Sequence, residues 1–254
     1  MARLAGIRVL VSDGDGDVGR AVVSRLVAEG ATVIAGTREP ERIGQPETGP
    51  GSPRLRWVDM DVTDADSWRR AVAVGEGVVS GEGAEPAEGA EPRKVGAAGL
   101  HGLVTIATEA VLAPLVDLDR RDLDAMVDRN LIGAILGIQA VVPALRRSGG
   151  GAIVAIASTE ALRGADQAAA FAATNWALRG LSRSAARELG VDGIRVNTVC
   201  PTIDLIASSP GLLDGTTPRP VTAGDIASMV AFLLSDDSAT CSGGDYPVDG
   251  GATA

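Results

Sequence analysis

The chain has 254 residues, 45 % of them apolar and only 2 % aromatic, which suits one sizeable α/β core packed by Val, Leu, Ile and Ala rather than by rings. Its 23 basic and 33 acidic residues leave a net charge of −10, which repels phosphate backbones and anionic bilayers, so neither nucleic acid nor a membrane is an expected partner. Cys200 and Cys241 make no disulfide framework and point to a reduced, cytoplasmic setting, and the single histidine, His101, has no ligand-type neighbours at metal spacing, so no metal is expected.

In chain order, the first apolar run is Ile7–Val11, too short for a signal-peptide core or a membrane span and suited to a strand. A glycine-rich turn, Ser12–Gly19, and an amphipathic helix, Arg20–Glu29, follow it. Further apolar runs stand at Ala31–Ala35, Leu55–Val58, Leu103–Ala107, Ala152–Ala157 and Ile194–Val199, with a last one near Tyr246–Val248. Continuous apolarity marks strands covered on both faces. Helix-period stretches lie between them, such as Leu178, Leu181, Ala185 and Leu189. This alternation predicts an α/β fold of Rossmann type: a doubly wound parallel sheet of about seven strands, in three αβα layers, as a single domain over 1–254. Residues 75–99 break the pattern, being mostly Gly, Glu, Ala and Pro with Gly-Ala-Glu-Pro at both 83–86 and 89–92. That composition buries no face and predicts a disordered surface insertion.

Gly14, Gly16 and Gly19 satisfy the G-x-G-x-x-G spacing between a strand and a helix, where a backbone can approach a pyrophosphate at the helix N-terminus. The intervening Asp13, Asp15 and Asp17 oppose that use. Two unit charges about 4 Å apart repel by ~1 kcal/mol in water and several times that near a protein surface. A helix terminus gains only ~0.3–1 kcal/mol from an anion. The expectation is therefore no cofactor, or a weakly held one. Asp61 is placed to meet an adenine edge, and Arg38, at the end of the second strand, would favour NADP over NAD if either binds. The plainer reading of Arg38 is a solvated residue at a helix start.

The closing third carries a resemblance. Gly193–Pro201, Asp225–Ser235 and Ser242–Gly251, with Asp128–Gly133 in the middle, are similar to the sixth strand, late helix, closing strand and asparagine-bearing helix of the short-chain dehydrogenase/reductase family. The similarity runs over nearly the whole chain outside the insertion. It implies a catalytic unit made of Asn130, a serine after the fifth strand, and Tyr-x-x-x-Lys on the next helix. There the lysine lowers the phenol's pKa so that it exchanges a proton while hydride moves to or from a nicotinamide. In this register Ser158 and Asn130 are kept, but Phe171 stands for the tyrosine and Asn175 for the lysine. Other departures lie on the same face: Thr105-Ile-Ala-Thr108 replaces Asn-Asn-Ala-Gly, Thr202 follows Pro201 in place of glycine, and Ile206 falls where a threonine would touch the nicotinamide. The only tyrosine, Tyr246, lies in the closing strand and reads as packing.

The resemblance thus implies a retained scaffold without the family's hydride-transfer machinery, a non-catalytic subunit of an active reductase. As family members do, it would form a homo- or hetero-oligomer with a paralogue, through the helices carrying Asn130 and Asn175 and the closing strand. Two alternatives stand beside it. One is an NAD(P)-dependent oxidoreductase of a carbonyl or hydroxyl substrate, with Ser158, Asn130 and a water or substrate group in place of the tyrosine. The other is non-redox chemistry (a cyclase, dehydratase or isomerase) using Glu109, Glu160 or Asp166, which follow strand ends.

Overall fold

The apolar runs form strands in the computed structural model, which describes residues 2–39, 54–77, 99–107, 109–202 and 220–254. Most of the 75–99 insertion lies outside these residues, as do Thr108 and Ile206. The strands are β1 (Arg8–Val11), β2 (Thr32–Thr37), β3 (Leu55–Asp59), β4 (Gly102–Ile106), β5 (Gly151–Ile156), β6 (Ile194–Pro201) and β7 (Asp245–Val248). All pair in parallel, in the order β3-β2-β1-β4-β5-β6-β7. The expected doubly wound sheet is therefore present, and its order reverses between β1 and β4, where Val11 faces Val104.

Helices cover both faces. On one, α1 (Asp17–Ala28) turns Val18, Val22, Val23 and Leu26 onto the sheet beside Ile226, Val230 and Leu233 of α6 (Ala223–Leu234). On the other lie α2 (Ala65–Gly75), α4 (Gly133–Arg147) and α5 (Ala169–Leu189), which bury Trp68, Val141, Leu145, Ala185 and Leu189. Side chains start two of these helices where the backbone needs acceptors. Asp64 accepts from the N–H groups of Asp66 and Ser67 ahead of α2, and Thr222 and Asp225 cap α6 reciprocally. His101 also takes a structural place, its Nδ1 accepting from Arg8 N at 3.2 Å at the start of the sheet.

One helical rod runs from α3 (Arg120–Met126) through a π-helical turn, Val127–Ile132, into α4. It is long and apolar enough, by length and composition alone, to cross a membrane. Its inward face is held in the protein: Trp68 donates its indole N–H to Val62 O at 2.8 Å and lies flat against Gly137. A Cβ at Gly137 would sit 2.7 Å from the Trp68 ring, closer than packed atoms tolerate. Gly180, inside α5, has nothing within 4 Å of its missing Cβ. Gly137→Val is therefore expected to destabilise by about 1–3 kcal/mol, whereas Gly180→Ala is expected to stabilise by about 0.5–1 kcal/mol through helix propensity. Thermal unfolding of the two variants checks this, and equal signs would contradict the packing described.

Candidate functional site

Where a parallel sheet reverses its order, the loops leaving the two central strands diverge and open a crevice at their C-terminal ends, the usual ligand position of such folds. Here the walls are the turn after β1 and the segment after β4. Ser12 ties them together: its N–H donates to Val104 O at 2.9 Å and its Oγ accepts from Ile106 N at 3.1 Å. The three glycines of the turn have different physical tasks. Gly14 N donates to Gly36 O at 2.8 Å, and a Cβ at Gly14 would crowd Ala35 and Trp57 at 3.1 Å. Gly19 admits no Cβ, which would lie 2.2 Å from Asp13 O. Gly16 is open, with no atom nearer than 4.0 Å to its missing Cβ, and it precedes α1 without any side-chain cap. The residue in the left-handed region is Asp13 itself, at φ 46°.

The aspartates are not equivalent. Asp17 is exposed at the first position of α1, where its charge complements the helix dipole. Asp15 Oδ2 accepts from Thr37 Oγ1 at 2.7 Å and links the turn to the end of β2. Asp13 points across the crevice and pairs with Arg129 Nη2 at 2.7 Å. Arg129 Nε lies 3.2 Å from Glu109 Oε2, just after β4. An ion triad, Asp13–Arg129–Glu109, thus spans the point of reversal, with the Arg129 side chain only 13 % exposed and Asp13 17 %. Burial pushes the Asp13 carboxyl up to about 7; Asp15 and Asp61 add to this, while Arg38 and Ser12 oppose it. The guanidinium in direct contact favours the charged form.

Arg38 and Asp61, read from the sequence as ribose-phosphate and adenine contacts, face each other at 3.5 Å, both about half exposed. Burial acts to raise the Asp61 carboxyl, but the Thr63 backbone and hydroxyl donors and the nearby Arg38 hold it below its ordinary value.

At the other candidate positions, the side chains bond to their own neighbourhood. Asn130 sits in the π-helical turn, buried, and grips Glu109 twice: Oδ1 accepts from its N–H at 3.0 Å and Nδ2 donates to its carbonyl at 2.7 Å. Ser158 is fully buried after β5 and donates to the carboxylate of Glu160, itself fully buried and also bonded by Thr159 Oγ1 at 3.2 Å. Phe171 has no exposed surface. It packs with Met126, Ala170 and the apolar segment Ala110–Leu112. Asn175, one turn on, donates back to Phe171 O at 2.8 Å, and its Oδ1 is buried without a partner. Tyr246, in β7, packs against the core cluster under α1 and α6 instead, and burial and then its neighbour Cys241 push the phenol up to about 12. Burial likewise raises the Cys200 thiol to about 12, so it is no nucleophile. The chain's one lysine, Lys94, lies outside the described residues. Glu109, Glu160 and Asp166 do not converge: Glu109 is paired with Arg129, Glu160 is buried with Ser158, and Asp166 is exposed beside Gln167. Among the described residues, no group of three or more His, Cys, Asp or Glu is placed to hold a metal.

A family model described as enoyl-(acyl carrier protein) reductase matches residues 93–253, and one described as NAD(P)H-binding matches residues 14–116. The chain is 33 % identical to 3-alpha-(or 20-beta)-hydroxysteroid dehydrogenase of Mycobacterium tuberculosis, over 99 % of this chain and 91 % of that protein. A short-chain type dehydrogenase/reductase from Mycobacterium ulcerans superposes with a TM-score of 0.83 at 27 % identity, covering 98 % of this chain and 90 % of the other. A short-chain dehydrogenase from Burkholderia cenocepacia, solved in complex with NADP, gives 0.81 at 28 %, covering 99 % and 100 %. The chain belongs to the short-chain dehydrogenase/reductase family.

For a member of this family, the test is whether the turn suits a dinucleotide. Its backbone does: α1 starts at an open Gly16, and Gly19 lets the helix pack close. Its side chains do not. Asp13 and Asp15 are anchored around the turn, Arg38 and Arg129 are engaged with Asp61, Asp13 and Glu109, and Arg20 donates to the Asp15 carbonyl at 2.8 Å.

Sequence reasoning found the glycines, the aspartates and Asn130, but missed Arg129 and the pairing of Ser158 with Glu160. The only available signal was an arginine directly before Asn130, and the π-helical turn removes the 3.6-residue period by which its face would be judged. Asp13, with its carboxyl raised above the ordinary value, stabilises the fold while protonated and loses that contribution as pH rises through about 7. The Arg129 contact opposes the loss. Arg129→Met is thus expected to destabilise by about 3 kcal/mol at about pH 8 and by clearly less at about pH 6. Urea unfolding at both pH values measures this, and a pH-independent loss would contradict the pairing.

Proposed function

We propose that this chain is a non-catalytic short-chain dehydrogenase/reductase subunit that assembles with another chain of its family. The observation that carries the reading is the missing proton donor. Phe171, in the register of the family's tyrosine, is sealed in an apolar cluster, and Asn175, in the register of the lysine, is folded back on its own helix. The sole tyrosine is held near 12 in the last strand, above the range in which a phenol serves as an acid at neutral pH. Ser158 commits its hydroxyl proton to Glu160, so it offers none to a substrate oxygen. A positioned acid contributes about 10²–10⁴ in rate, so hydride transfer with either nicotinamide cofactor on ketone and alcohol panels, including hydroxysteroids, is expected to stay at background. The double change Phe171→Tyr with Asn175→Lys is expected to leave it there, because the acidic turn and Arg129 remain. Turnover by the wild-type chain would end this reading.

The surface supports the assembly half. Trp176 is 47 % exposed on α5, and Ile132 is 38 % exposed where the π-helical turn meets α4. The first half of the outer face of α5 also shows Ala169, Ala173 and Gly180, small residues that let a partner helix approach, and the second half shows Arg183, Ser184, Arg187 and Glu188. A half-exposed tryptophan with the Arg179 guanidinium 5.0 Å from its ring has the make-up of an interface hot spot. Co-expression with short-chain reductases encoded beside it is expected to give a mixed oligomer that Trp176→Glu dissociates on size exclusion. A strictly homomeric or monomeric product would count against a heteromer.

The dehydrogenase names of the relatives favour a second reading, an oxidoreductase with an atypical acid. Its structural support is the buried Glu160 carboxyl beside Ser158. The same turnover assay decides between the two readings.

A further inference from the structure

We infer that the Asp13–Arg129–Glu109 triad occupies the crevice a dinucleotide would enter, and that Arg129 is the residue that excludes it. The inference rests on the family reading and deepens the non-catalytic one. It starts from position: Asp13 leaves β1, Glu109 leaves β4, and the sheet order reverses between those strands. A guanidinium bridging the two must be displaced by anything laid across that gap.

Both ends of the bridge are fixed. Asp13 is held in a left-handed conformation between the Gly14–Gly36 hydrogen bond and the close approach of Gly19 to its carbonyl. The backbone that carries its carboxylate is thereby set, and Arg129 holds the carboxylate itself at 2.7 Å. At the other end, the consecutive residues Arg129 and Asn130 grip Glu109 together, one by its side chain and the other by its backbone N–H and C=O. The triad is therefore part of the fold's framework rather than a loose surface pairing.

Charge points the same way. The charged groups at the turn are Asp13, Asp15, Asp17, Asp61 and Glu109 against Arg20, Arg38 and Arg129; Arg38 and Arg129 are spent on the chain's own carboxylates, and Arg20 donates to the Asp15 carbonyl at 2.8 Å. A pyrophosphate would bring further negative charge and would compete with Asp13 for Arg129, leaving a largely buried carboxylate unpaired. Arg129 Nη1 and Nε have no hydrogen-bond partner, Nε being held to Glu109 by charge alone, but both are buried, so a phosphate oxygen could reach them only by opening the triad.

The test is calorimetric titration of the purified chain and two variants with NADPH and NADH at millimolar concentration. Asp13→Asn removes the charge while keeping the size of the side chain, and asparagine tolerates a positive φ; Asp13→Asn with Arg129→Met dismantles the bridge. The wild-type chain is expected to show no saturable binding, and the double variant an apparent affinity at least roughly tenfold higher, with Asp13→Asn alone between them. Where the double variant does not fold, the near-isosteric Asp13→Asn decides. Saturable wild-type binding, or no gain in any folded variant, overturns the exclusion, as does weaker binding in the double variant. Wild-type binding without hydride transfer would overturn it and leave the non-catalytic reading standing. Wild-type hydride transfer would overturn that reading too.

Discussion

The pairing of Asp13 with Arg129 governs the candidate site, because it spans the one place where the sheet's own topology leaves a gap. A doubly wound sheet must diverge at its reversal, and in this chain the divergence lies between β1 and β4. An oxidoreductase of this fold uses that gap for a cofactor, whose phosphates satisfy the donors at the start of α1. Here the gap holds a salt bridge made by the chain itself. The Gly19 contact that brings α1 close also fixes the Asp13 carbonyl, so the feature that shapes a dinucleotide turn now aims a carboxylate across it.

Seen from that bridge, the retained family residues have structural work that does not need catalysis. Asn130 holds both backbone groups of Glu109 and so sets the height of the triad's far end. Asn197, in the strand segment most similar to the family, donates to Cys241 O at 2.8 Å and accepts from Gly244 N at 3.1 Å, binding β6 to the approach to β7. Asp245 at the start of β7 collects Arg179 and Arg183 from α5. Each of these side chains satisfies buried backbone or charge, and loss of such partners costs about 1–3 kcal/mol apiece. Retention of the fold's polar ties and the loss of a proton relay proposed above are therefore separate matters.

The legibility of the chain divides along the same line. Strands showed plainly because a sheet covered on both faces needs unbroken apolar runs, and Ile194–Val199 or Ala152–Ala157 allow no other reading as short segments. Phe171 and Asn175 were singled out by spacing along one helix alone. What sequence spacing could not carry was partner choice across elements. Asp15 finds Thr37, Arg38 finds Asp61, Ser158 finds Glu160 and Asp13 finds Arg129. The last pair joins residues far apart in sequence through a π-helical turn, in which the added residue per turn rotates Arg129 off the face a regular helix would predict. The three aspartates of the turn look alike in the sequence, and only their partners separate an exposed helix-start charge from a buried lock.

The two halves of the proposed function have different physical bases, and this bears on why such a chain would persist. Hydride chemistry depends on a proton donor tuned within a few pKa units of neutrality, a condition that a single substitution can remove. Assembly depends on area and shape along α4 and α5, where Trp176, Ile132 and the small residues Ala169, Ala173 and Gly180 remain outward. Burying an exposed tryptophan removes apolar surface at about 25 cal/mol per Å², a gain indifferent to what lies in the crevice. A crevice closed by its own ion triad also needs no cofactor to hold β1 and β4 in register, because Ser12 and Arg129 already tie them. In the proposed reading, an internal bridge that ties β1 to β4 leaves the outer helices to serve a partner.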